Sequence, residues 1–215
     1  MNEDEAKKSL KNILNFSEND IERLDLFRSM LLEFNNKYNL ISRKTESSIW
    51  SRHILDSAQL LRLFDINSKL TMVDLGSGAG FPGIVIAIFN KNEDFHVKLY
   101  EKSPVKREFL NKVKETLDIK LEVLKNVYND KIDADIIVSR AFKKLEEIVR
   151  ISREIARKPH RIIILKGKNA QTEINNVSLG HNSSYKLVDS ITDTDSKIIV
   201  IEVKLNEKKI NNSSN

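Results

Sequence analysis

The clearest chemistry in this chain lies at the end of a predicted buried strand, where one acid is followed by three glycines. Residues 71–75 read as that strand, with Asp74 near its end, and Gly76, Gly78 and Gly80 follow at alternate positions. Glycine adopts positive φ and has no Cβ, so a ligand can lie directly against the main chain of such a turn. A carboxylate beside the turn would attract a cationic group. The combination indicates S-adenosylmethionine, which carries a sulfonium and an amino group.

The same glycines also fit a dinucleotide pattern. Residues 78–83 satisfy G-x-G-x-x-G, which in a nucleotide-binding fold places a pyrophosphate on a helix N-terminus. Asp74 argues against this alternative, because a carboxylate just before the first glycine would repel phosphate. A tight strand-to-helix turn without a ligand is a third interpretation. We favour S-adenosylmethionine on this stretch.

Candidate binding residues also follow the next two predicted strands. Ligands of open doubly wound sheets bind beyond the carboxyl ends of the strands, so the residues after each strand matter. Glu101 follows the second strand and can accept both ribose hydroxyls of an adenosine, in S-adenosylmethionine and NAD alike. Val127 and Tyr128 follow the third strand and could hold an adenine ring, although a loop with a half-buried tyrosine fits them nearly as well.

Arg140 and Phe142 follow the fourth predicted strand, where they would face a transferred methyl group. Arg140 could hold a cofactor or acceptor group, and Phe142 could stack on a base, which contributes about 1–3 kcal/mol. A surface ion pair and a core position are the structural alternatives for these two residues. The Asn/Asp-Pro-Pro-aromatic motif of methyltransferases that act on exocyclic amines is missing here. An acceptor with a free in-plane lone pair, such as guanine N7, would need no proton removed.

The remaining polar residues give no metal site and no general base. His53 and Asp56 are three apart in a predicted helix and could form a hydrogen-bonded pair beside the pocket, although such a pair without a nucleophile is usually structural. The chain has no cysteine, and the spacing of its four histidines is not that of metal ligands. We therefore expect neither a metal nor a disulfide, and we nominate no proton-abstracting residue.

The charge balance suits a polyanionic partner. The chain has 36 basic and 31 acidic residues, a formal net charge of +5. Basic clusters near the predicted binding edge would contact a phosphate backbone, although any one of them also fits a solvated helix face. The candidate RNA-binding residues are Arg43, Lys44, Arg52, Lys102, Lys106 and Arg107, with Lys143 and Lys144 as a further cluster.

Hydrophobic periodicity predicts the elements that position these residues. Residues 1–65 are expected to be helical: Ser17 can cap one helix, a second should start near Ser47 or Ser48, and the polar segment 39–44 between them should be a loop. From residue 70, short apolar runs alternate with helical stretches, as in a parallel sheet covered on both faces. These predicted strands are 70–75, 96–100, 121–124, 135–139, 161–166, 185–191 and 197–205.

The last two runs are joined by too short a link for a helical crossover, so the last strand should be antiparallel to its neighbour. The predicted fold is thus α/β, a Rossmann-like class I methyltransferase with a seven-stranded, mostly parallel sheet and an antiparallel last strand. We expect an N-terminal helical extension over 1–65, a cofactor-binding domain over 66–205 and a frayed tail over 206–215. The chain has no 18-residue apolar run and no signal-like N-terminus, so we expect no membrane span and a cytoplasmic location. We also expect a monomer.

Several of these motifs together resemble the RsmG (GidB) family of bacterial 16S ribosomal RNA methyltransferases, over about residues 35–205. The motifs that carry the resemblance are Asn39-Leu40, Arg52-His53-Ile54-Leu55-Asp56-Ser57, residues 74–83, Lys106-Arg107-x-Phe109-Leu110, Ser139-Arg140-Ala141-Phe142 and Leu165-Lys166-Gly167. Glu101 stands where some relatives carry Asp, which keeps the carboxylate.

The resemblance implies transfer of a methyl group from S-adenosylmethionine to N7 of one guanine in 16S ribosomal RNA, giving 7-methylguanosine. The partner would be 16S ribosomal RNA or the small ribosomal subunit. The resemblance also implies that Gly76, Phe81, Val127, Tyr128 and Arg140 hold the cofactor. A methyltransferase of a small molecule or protein is the alternative, and an NAD-binding Rossmann domain is a less favoured one.

Overall fold

The computed structural model of the protein describes residues 1–140, 142–180 and 183–204, with Asn129 described through its backbone alone. The predicted frayed tail over 206–215 lies outside the described residues, as does Ala141. No helix in the described ranges is long and apolar enough to cross a membrane.

Seven strands form one sheet in the order β3-β2-β1-β4-β5-β7-β6. Pairs among β1 to β5 are parallel, whereas β7 is antiparallel to both β5 and β6. The sheet confirms all seven predicted strands and the antiparallel hairpin. The strands are β1 (Thr71–Leu75), β2 (His96–Tyr100), β3 (Glu122–Leu124), β4 (Ile136–Arg140), β5 (His160–Lys166), β6 (Ser183–Asp189) and β7 (Lys197–Val203).

Chain order reverses between β1 and β4, which lie side by side in the sheet. A crevice opens at such a switch point beyond the carboxyl ends of the strands, and ligands of this fold class bind there. Helices surround the sheet: α1 (Glu3–Leu14), α2 (Glu18–Tyr38), α3 (Asp56–Ala58), α4 (Gly83–Phe89), α5 (Pro104–Thr116), α6 (Leu145–Ile155) and α7 (Ala170–Asn175).

The start of α2 follows the predicted capping chemistry. The Asp20 N–H donates to Ser17 Oγ at 3.2 Å, and the Ser17 N–H donates to Asp20 Oδ2 at 3.0 Å. Each residue thus satisfies a backbone donor of the other, which is the reciprocal arrangement of a capping box. Asp20 also accepts from Lys91 Nζ at 2.6 Å, so the cap joins α2 to the residues that follow α4.

The segment from residue 39 to residue 63 is helical in a more irregular way than predicted. A 3₁₀ helix covers Arg43–Ser48, so the loop predicted over 39–44 ends early. A π-helical stretch follows at Trp50–Leu55, then α3 and a second 3₁₀ helix at Gln59–Leu63. The second helix predicted from near Ser47 or Ser48 is therefore confirmed, with a change from π to α to 3₁₀ geometry along its length.

The N-terminal helices and the sheet share one hydrophobic cluster. Phe27 on α2 is fully buried, with its ring centroid 5.3 Å from that of Phe81 and 6.3 Å from that of Phe109 on α5. Leu24 and Leu31 on α2 belong to the same cluster. Because Phe81 follows the glycine turn, this packing fixes α2 against the turn. The domain boundary at residue 65 stays a prediction.

Candidate active site

The glycine turn after β1 brings β1 close to the segment after β4. Gly76 has a φ of +72°, and a Cβ built on it would lie 2.2 Å from Phe142 Cδ2. A side chain at this position would therefore be strained and would displace the Phe142 ring. Gly78 and Gly80 also have positive φ. The turn thus needs glycine both for its conformation and for the close approach of Phe142.

The Asp74 carboxylate lies beneath this turn and does not line the cavity above it. Its Oδ2 accepts from the Gly83 N–H at 3.0 Å, at the start of α4, while its buried Oδ1 has no partner among the described residues. Burial raises the pKa of Asp74 to about 7; the bond from Gly83 opposes this shift. An acid next to a helix N-terminus interacts favourably with the helix dipole. Asp74 therefore anchors α4 under the turn.

Glu101 holds the other side of the turn. It is buried, its Oε2 accepts from the Gly78 N–H at 2.9 Å and its Oε1 accepts from the Ser103 N–H at 2.8 Å. Both carboxylate oxygens are therefore oriented by the main chain. Unlike Asp74, Glu101 lines the cavity.

Arg140 forms a buried contact with His53. Arg140 Nη2 lies 2.5 Å from His53 Nδ1, and His53 Nε2 lies 3.0 Å from Thr45 Oγ1. Burial lowers the pKa of His53 to about 3, with further contributions from the charges of Arg140 and Arg52. The ring is therefore neutral near pH 7: Nδ1 accepts from Arg140 and Nε2–H donates to Thr45. Arg140 Nη1 is buried without a partner among the described residues.

The predicted pairing of His53 with Asp56 is wrong. Asp56 Oδ1 accepts instead from Gln59 Nε2 at 2.8 Å and from Thr192 Oγ1 at 2.9 Å. The π-helical turn at Trp50–Leu55 explains the difference, because its wider turn removes the alignment that residues three apart have in an α-helix.

A cavity of about 690 Å³ collects most of the predicted residues at the carboxyl ends of β1, β2 and β4. Phe81 forms part of its wall, and the Arg140 guanidinium lies 5.6 Å from the Phe81 ring centroid. Val127 is buried, whereas Tyr128 is half exposed at the rim. The predicted residues that line the cavity are Gly76, Gly78, Phe81, Glu101, Lys102, Lys106, Val127, Tyr128, Arg140 and Phe142. Asp74 and Gly80 support the turn from behind.

The predicted RNA-binding residues divide into two groups. Lys102 and Lys106 line the cavity, whereas the exposed residues Arg43, Lys44 and Arg52 lie outside its wall. Arg107 Nη1 donates to the main-chain oxygens of Glu101 and Lys102, at 3.0 and 2.7 Å, which gives this side chain a structural task. Lys143, from the further predicted cluster, also lines the cavity, and so does Lys125, which was not among the predicted RNA-binding residues.

The sequence-based reasoning missed one wall of the cavity. Leu40, Ile41, Ser42 and Thr45 line it, and they come from the segment predicted only as a basic loop. Asn35 on α2 holds this segment: its Nδ2 donates to Glu46 Oε1 at 2.6 Å, and its Oδ1 accepts from the Ile41 N–H at 2.8 Å. Among the residues that the structure describes, no group of three or more His, Cys, Asp or Glu could hold a metal ion.

Comparison with known proteins gives consistent matches along the chain. The family model GidB, described as rRNA small subunit methyltransferase G, matches residues 20–199. The chain is 38% identical over 184 residues to the ribosomal RNA small subunit methyltransferase G of Pelagibacter ubique, covering 83% of this chain and 86% of that protein. The protein of the same name from Orientia tsutsugamushi is 37% identical over 191 residues, covering 88% and 93%.

Solved structures share the fold at low sequence identity. A SAM dependent methyltransferase from Aquifex aeolicus matches with a TM-score of 0.60 at 14% identity, covering 83% of this chain and 98% of that one. A mutant of MtNAS in complex with S-adenosylmethionine matches with a TM-score of 0.58 at 14% identity, covering 92% and 84%. At such identities the likeness concerns the fold alone.

Proposed function

Because this chain belongs to the rRNA small subunit methyltransferase G (GidB) family, we propose that it methylates RNA of the small ribosomal subunit, with S-adenosylmethionine as the methyl donor. We further propose that the acceptor atom is N7 of one guanine in 16S ribosomal RNA. The observation that carries the proposal is the cavity beyond β1, β2 and β4. It combines a glycine turn, an oriented carboxylate and a buried guanidinium.

The residues present fit the cofactor. Glu101, with both oxygens oriented, would accept from the ribose hydroxyls, and Val127 and Tyr128 would hold the adenine ring. Two buried polar atoms without described partners, Asp74 Oδ1 and Arg140 Nη1, have charges opposite to those of the ammonium and carboxylate of the methionine end. Arg140 would bind the carboxylate at the cavity wall, and Asp74, when ionised, would attract the ammonium group from beneath the turn. The proposed cofactor-binding set is Asp74, Gly76, Gly78, Gly80, Phe81, Glu101, Val127, Tyr128 and Arg140.

When bound, S-adenosylmethionine supplies an electrophilic methyl group on a sulfonium. The chain's own residues would contribute orientation and electrostatics rather than proton transfer. His53 and Glu101 are cavity-lining residues that carry a basic ring nitrogen and a carboxylate, respectively. The free lone pair of His53 already accepts from Arg140, and both Glu101 oxygens accept main-chain N–H groups. The engaged lone pair of His53 and the proposed role of Glu101 on the ribose favour an acceptor that loses no proton, such as a purine N7.

The acceptor side would be formed by Arg140 and Phe142, at the end of β4 and just after it. Phe142 packs against Gly76 on one side and lines the cavity on the other, so its ring is available for stacking on a base. Exposed lysines at the rim, Lys102 and Lys125, would contact the RNA backbone. We expect the protein to work as a monomer in the bacterial cytoplasm, where ribosomal RNA is modified.

Chemical mapping of the product tests the acceptor atom. Purified protein would be incubated with small ribosomal subunits and radiolabelled S-adenosylmethionine, and the RNA would then be treated with borohydride and aniline. These reagents cleave RNA at 7-methylguanosine and not at guanines methylated on N1, N2 or O6. Cleavage at one labelled position is expected. Label without cleavage would exclude N7, and label on large-subunit RNA or on protein alone would exclude the proposed substrate.

An arginine substitution tests the site. Arg140→Ala should abolish methylation while the protein stays folded by circular dichroism, because Arg140 contributes to the cavity wall and not to the hydrophobic clusters. Arg150→Ala is the matched control, since Arg150 is an exposed residue of α6 paired with Glu154. Full activity of Arg140→Ala would remove this residue from the proposed site.

A further inference from the structure

A second, smaller cavity of about 360 Å³ lies beside the first, between the end of β5 and the turn that joins β6 to β7. Its wall includes Asp56, Gly167, Ser190 and Lys197, and Arg140 lines both cavities. The two cavities therefore meet at Arg140. If the larger cavity takes the cofactor, the smaller one adjoins the methionine end of that site at Arg140, and its volume is typical of pockets for small ligands.

Asp56 is the only acidic side chain among the described residues that line the smaller cavity. Its Oδ1 is held by the bonds from Gln59 and Thr192, and Gln59 is held in turn because its Oε1 accepts from the Ile191 N–H at 2.9 Å. Asp56 Oδ2 accepts no hydrogen bond from the described residues. The carboxylate is thus oriented through one oxygen, which leaves the other available to a ligand.

The lysines around the smaller cavity are already neutralised by ion pairs. Lys166 Nζ pairs with Glu173 at 2.8 Å, and Lys197 pairs with Asp189. The cavity therefore does not resemble an anion site built from free cations. The smaller cavity presents one carboxylate, which needs N–H or O–H donors, and the Arg140 guanidinium, which also lines the larger cavity.

We propose that the smaller cavity receives the Watson–Crick edge of the target base and that Asp56 is the specificity-determining residue, its Oδ2 accepting from the N1–H and N2–H donors of a guanine. This inference rests on the proposed function. Guanine alone among the four RNA bases places two N–H donors side by side on its Watson–Crick edge, and one carboxylate oxygen, with its two lone pairs, can accept from both. N7 lies on the opposite edge of the purine, so a base held by Asp56 turns N7 away from the carboxylate.

Gly167 supplies the space for that base at the end of β5. A Cβ built on Gly167 would meet no atom within 4 Å, and its φ lies outside the positive range that favours glycine. Neither steric crowding nor backbone strain in the protein requires glycine here. An alanine at this position should therefore fold normally and narrow the cavity.

The test combines a substitution in the protein with one in the RNA. Inosine lacks the N2 amino group of guanosine but keeps N1–H and N7. Small subunits would be reconstituted with either guanosine or inosine at the mapped position. For the wild-type protein, inosine should lower kcat/KM by about tenfold, as expected for loss of a hydrogen bond to a charged group. For Asp56→Asn, kcat/KM on guanosine should fall about tenfold or more, and replacing guanosine by inosine should then lower kcat/KM little further.

Binding of S-adenosylhomocysteine, measured by calorimetry, separates this role from a structural one. Its Kd should stay within about threefold of wild type in Asp56→Asn and in Gly167→Ala, whereas both lose kcat/KM on guanosine. Asp65→Asn is the control, because Asp65 is exposed and precedes β1, at the amino ends of the strands and away from both cavities.

Three outcomes would overturn the inference. An equal kcat/KM on guanosine and inosine for the wild type would show that the N2 amino group is not recognised. An inosine penalty that persists unchanged in Asp56→Asn would place recognition elsewhere, and full activity of Gly167→Ala would place the base elsewhere. If the wild type methylates no guanosine in the small subunit, the proposed function itself fails, and this inference fails with it.

Discussion

At the scale of single residues, the neutral His53 ring is the group that orients Arg140. His53 Nδ1 accepts from Arg140 Nη2, Nε2 bonds Thr45, and the ring stacks on Phe81 with centroids 5.0 Å apart. One ring therefore joins three parts of the cavity wall. Since burial holds its pKa near 3, its charge does not change around neutral pH.

Substituting His53 by Phe should keep the stacking and lose the acceptor for Arg140. We expect kcat/KM for methylation to fall by about tenfold or more, as for loss of a hydrogen bond to a charged group. The rate of wild type and variant should show the same pH dependence between about pH 6 and pH 8, because a neutral positioning residue does not titrate there. His160→Phe is the control, because His160 is another buried histidine and lies at the amino end of β5, away from the cavity. A pH profile that changes in His53→Phe alone would indicate a general base.

Asp74 should make the stability of the protein depend on pH. Its folded pKa is raised to about 7, mainly by burial, above an ordinary value near 3.8. Between these values the folded protein keeps a proton that the unfolded chain has released, so the free energy of unfolding falls as pH rises. The difference between wild type and Asp74→Asn should therefore decrease toward pH 7, by at most about 1.4 kcal/mol per pH unit, and then level off. Urea denaturation at several pH values measures it.

A second substitution at Asp74 separates its charge from its bond to α4. Asp74→Asn keeps an oxygen that can accept from the Gly83 N–H, whereas Asp74→Ala leaves that buried donor without a partner. Asp74→Ala should therefore be less stable than Asp74→Asn by about 1–3 kcal/mol. If the two variants are equally stable, the bond to Gly83 contributes nothing.

The sequence predicted which residues lie near the cavity better than it predicted where their side chains point. Glu101 and Arg140 stand directly at strand ends, where the fold alone brings them to the crevice. Whether Asp74 faces that crevice depends on the backbone of the glycine turn, whose φ values cannot be derived from the sequence pattern. The alignment of His53 with Arg140, 87 residues further along the chain, is a tertiary contact that helical spacing does not contain.

At the scale of elements, the strands and the helix after residue 48 were predictable, whereas the change of helix type along that segment was not. Each predicted strand has both of its bounds within two residues of the observed ones, because an apolar run buried on both faces leaves a continuous signal. The segment from residue 43 to residue 63 passes through 3₁₀, π and α geometry. A single period of 3.6 cannot describe it, and the segment packs against α1 and α4.

Asn35 on α2 should control the wall formed by residues 40–45. Asn35→Ala removes the bonds to Glu46 and Ile41, so the segment should loosen, with a cost of about 1–3 kcal/mol in stability. We expect the Kd for S-adenosylhomocysteine to rise as well, because Leu40, Ile41 and Thr45 line the larger cavity. Thermal denaturation and calorimetry measure the two effects.

Asn92→Ala is the matched control for this prediction. Asn92 Nδ2 donates to the carbonyl oxygens of Ile66 and Ser68, both at 3.1 Å. It therefore holds the loop that precedes β1, at the amino ends of the strands. Its loss should lower stability by a similar amount and leave the Kd unchanged. A loss of affinity in both variants would reflect general destabilisation rather than the wall of the cavity.

At the scale of the whole molecule, the modest net charge of +5 matters less than where the unpaired cations lie. Many surface lysines are paired: Lys120 with Glu93 at 2.5 Å and Lys98 with Glu122 at 3.0 Å, for example. At the cavity rim, Lys102, Lys106 and Lys125 form no ion pair within the described residues. These three lysines place unpaired positive charge at the carboxyl ends of the strands, where an RNA would approach.

Binding to ribosomal RNA should therefore depend strongly on salt, and individual rim lysines should account for part of that dependence. Each phosphate contact contributes about −0.7 to −0.9 to the slope of log K against log salt concentration. We expect Lys102→Ala and Lys125→Ala each to weaken RNA binding and to make the slope shallower by about one contact. Lys120→Ala should change neither quantity, because Lys120 lies at the opposite end of the β3 segment from Lys125 and is paired with Glu93. Filter binding between about 50 and 200 mM salt measures these slopes. Equal slopes for the three variants would mean that the RNA approaches another surface, whereas a reduced slope for the rim variants alone would place the phosphate backbone along the mouth of the larger cavity.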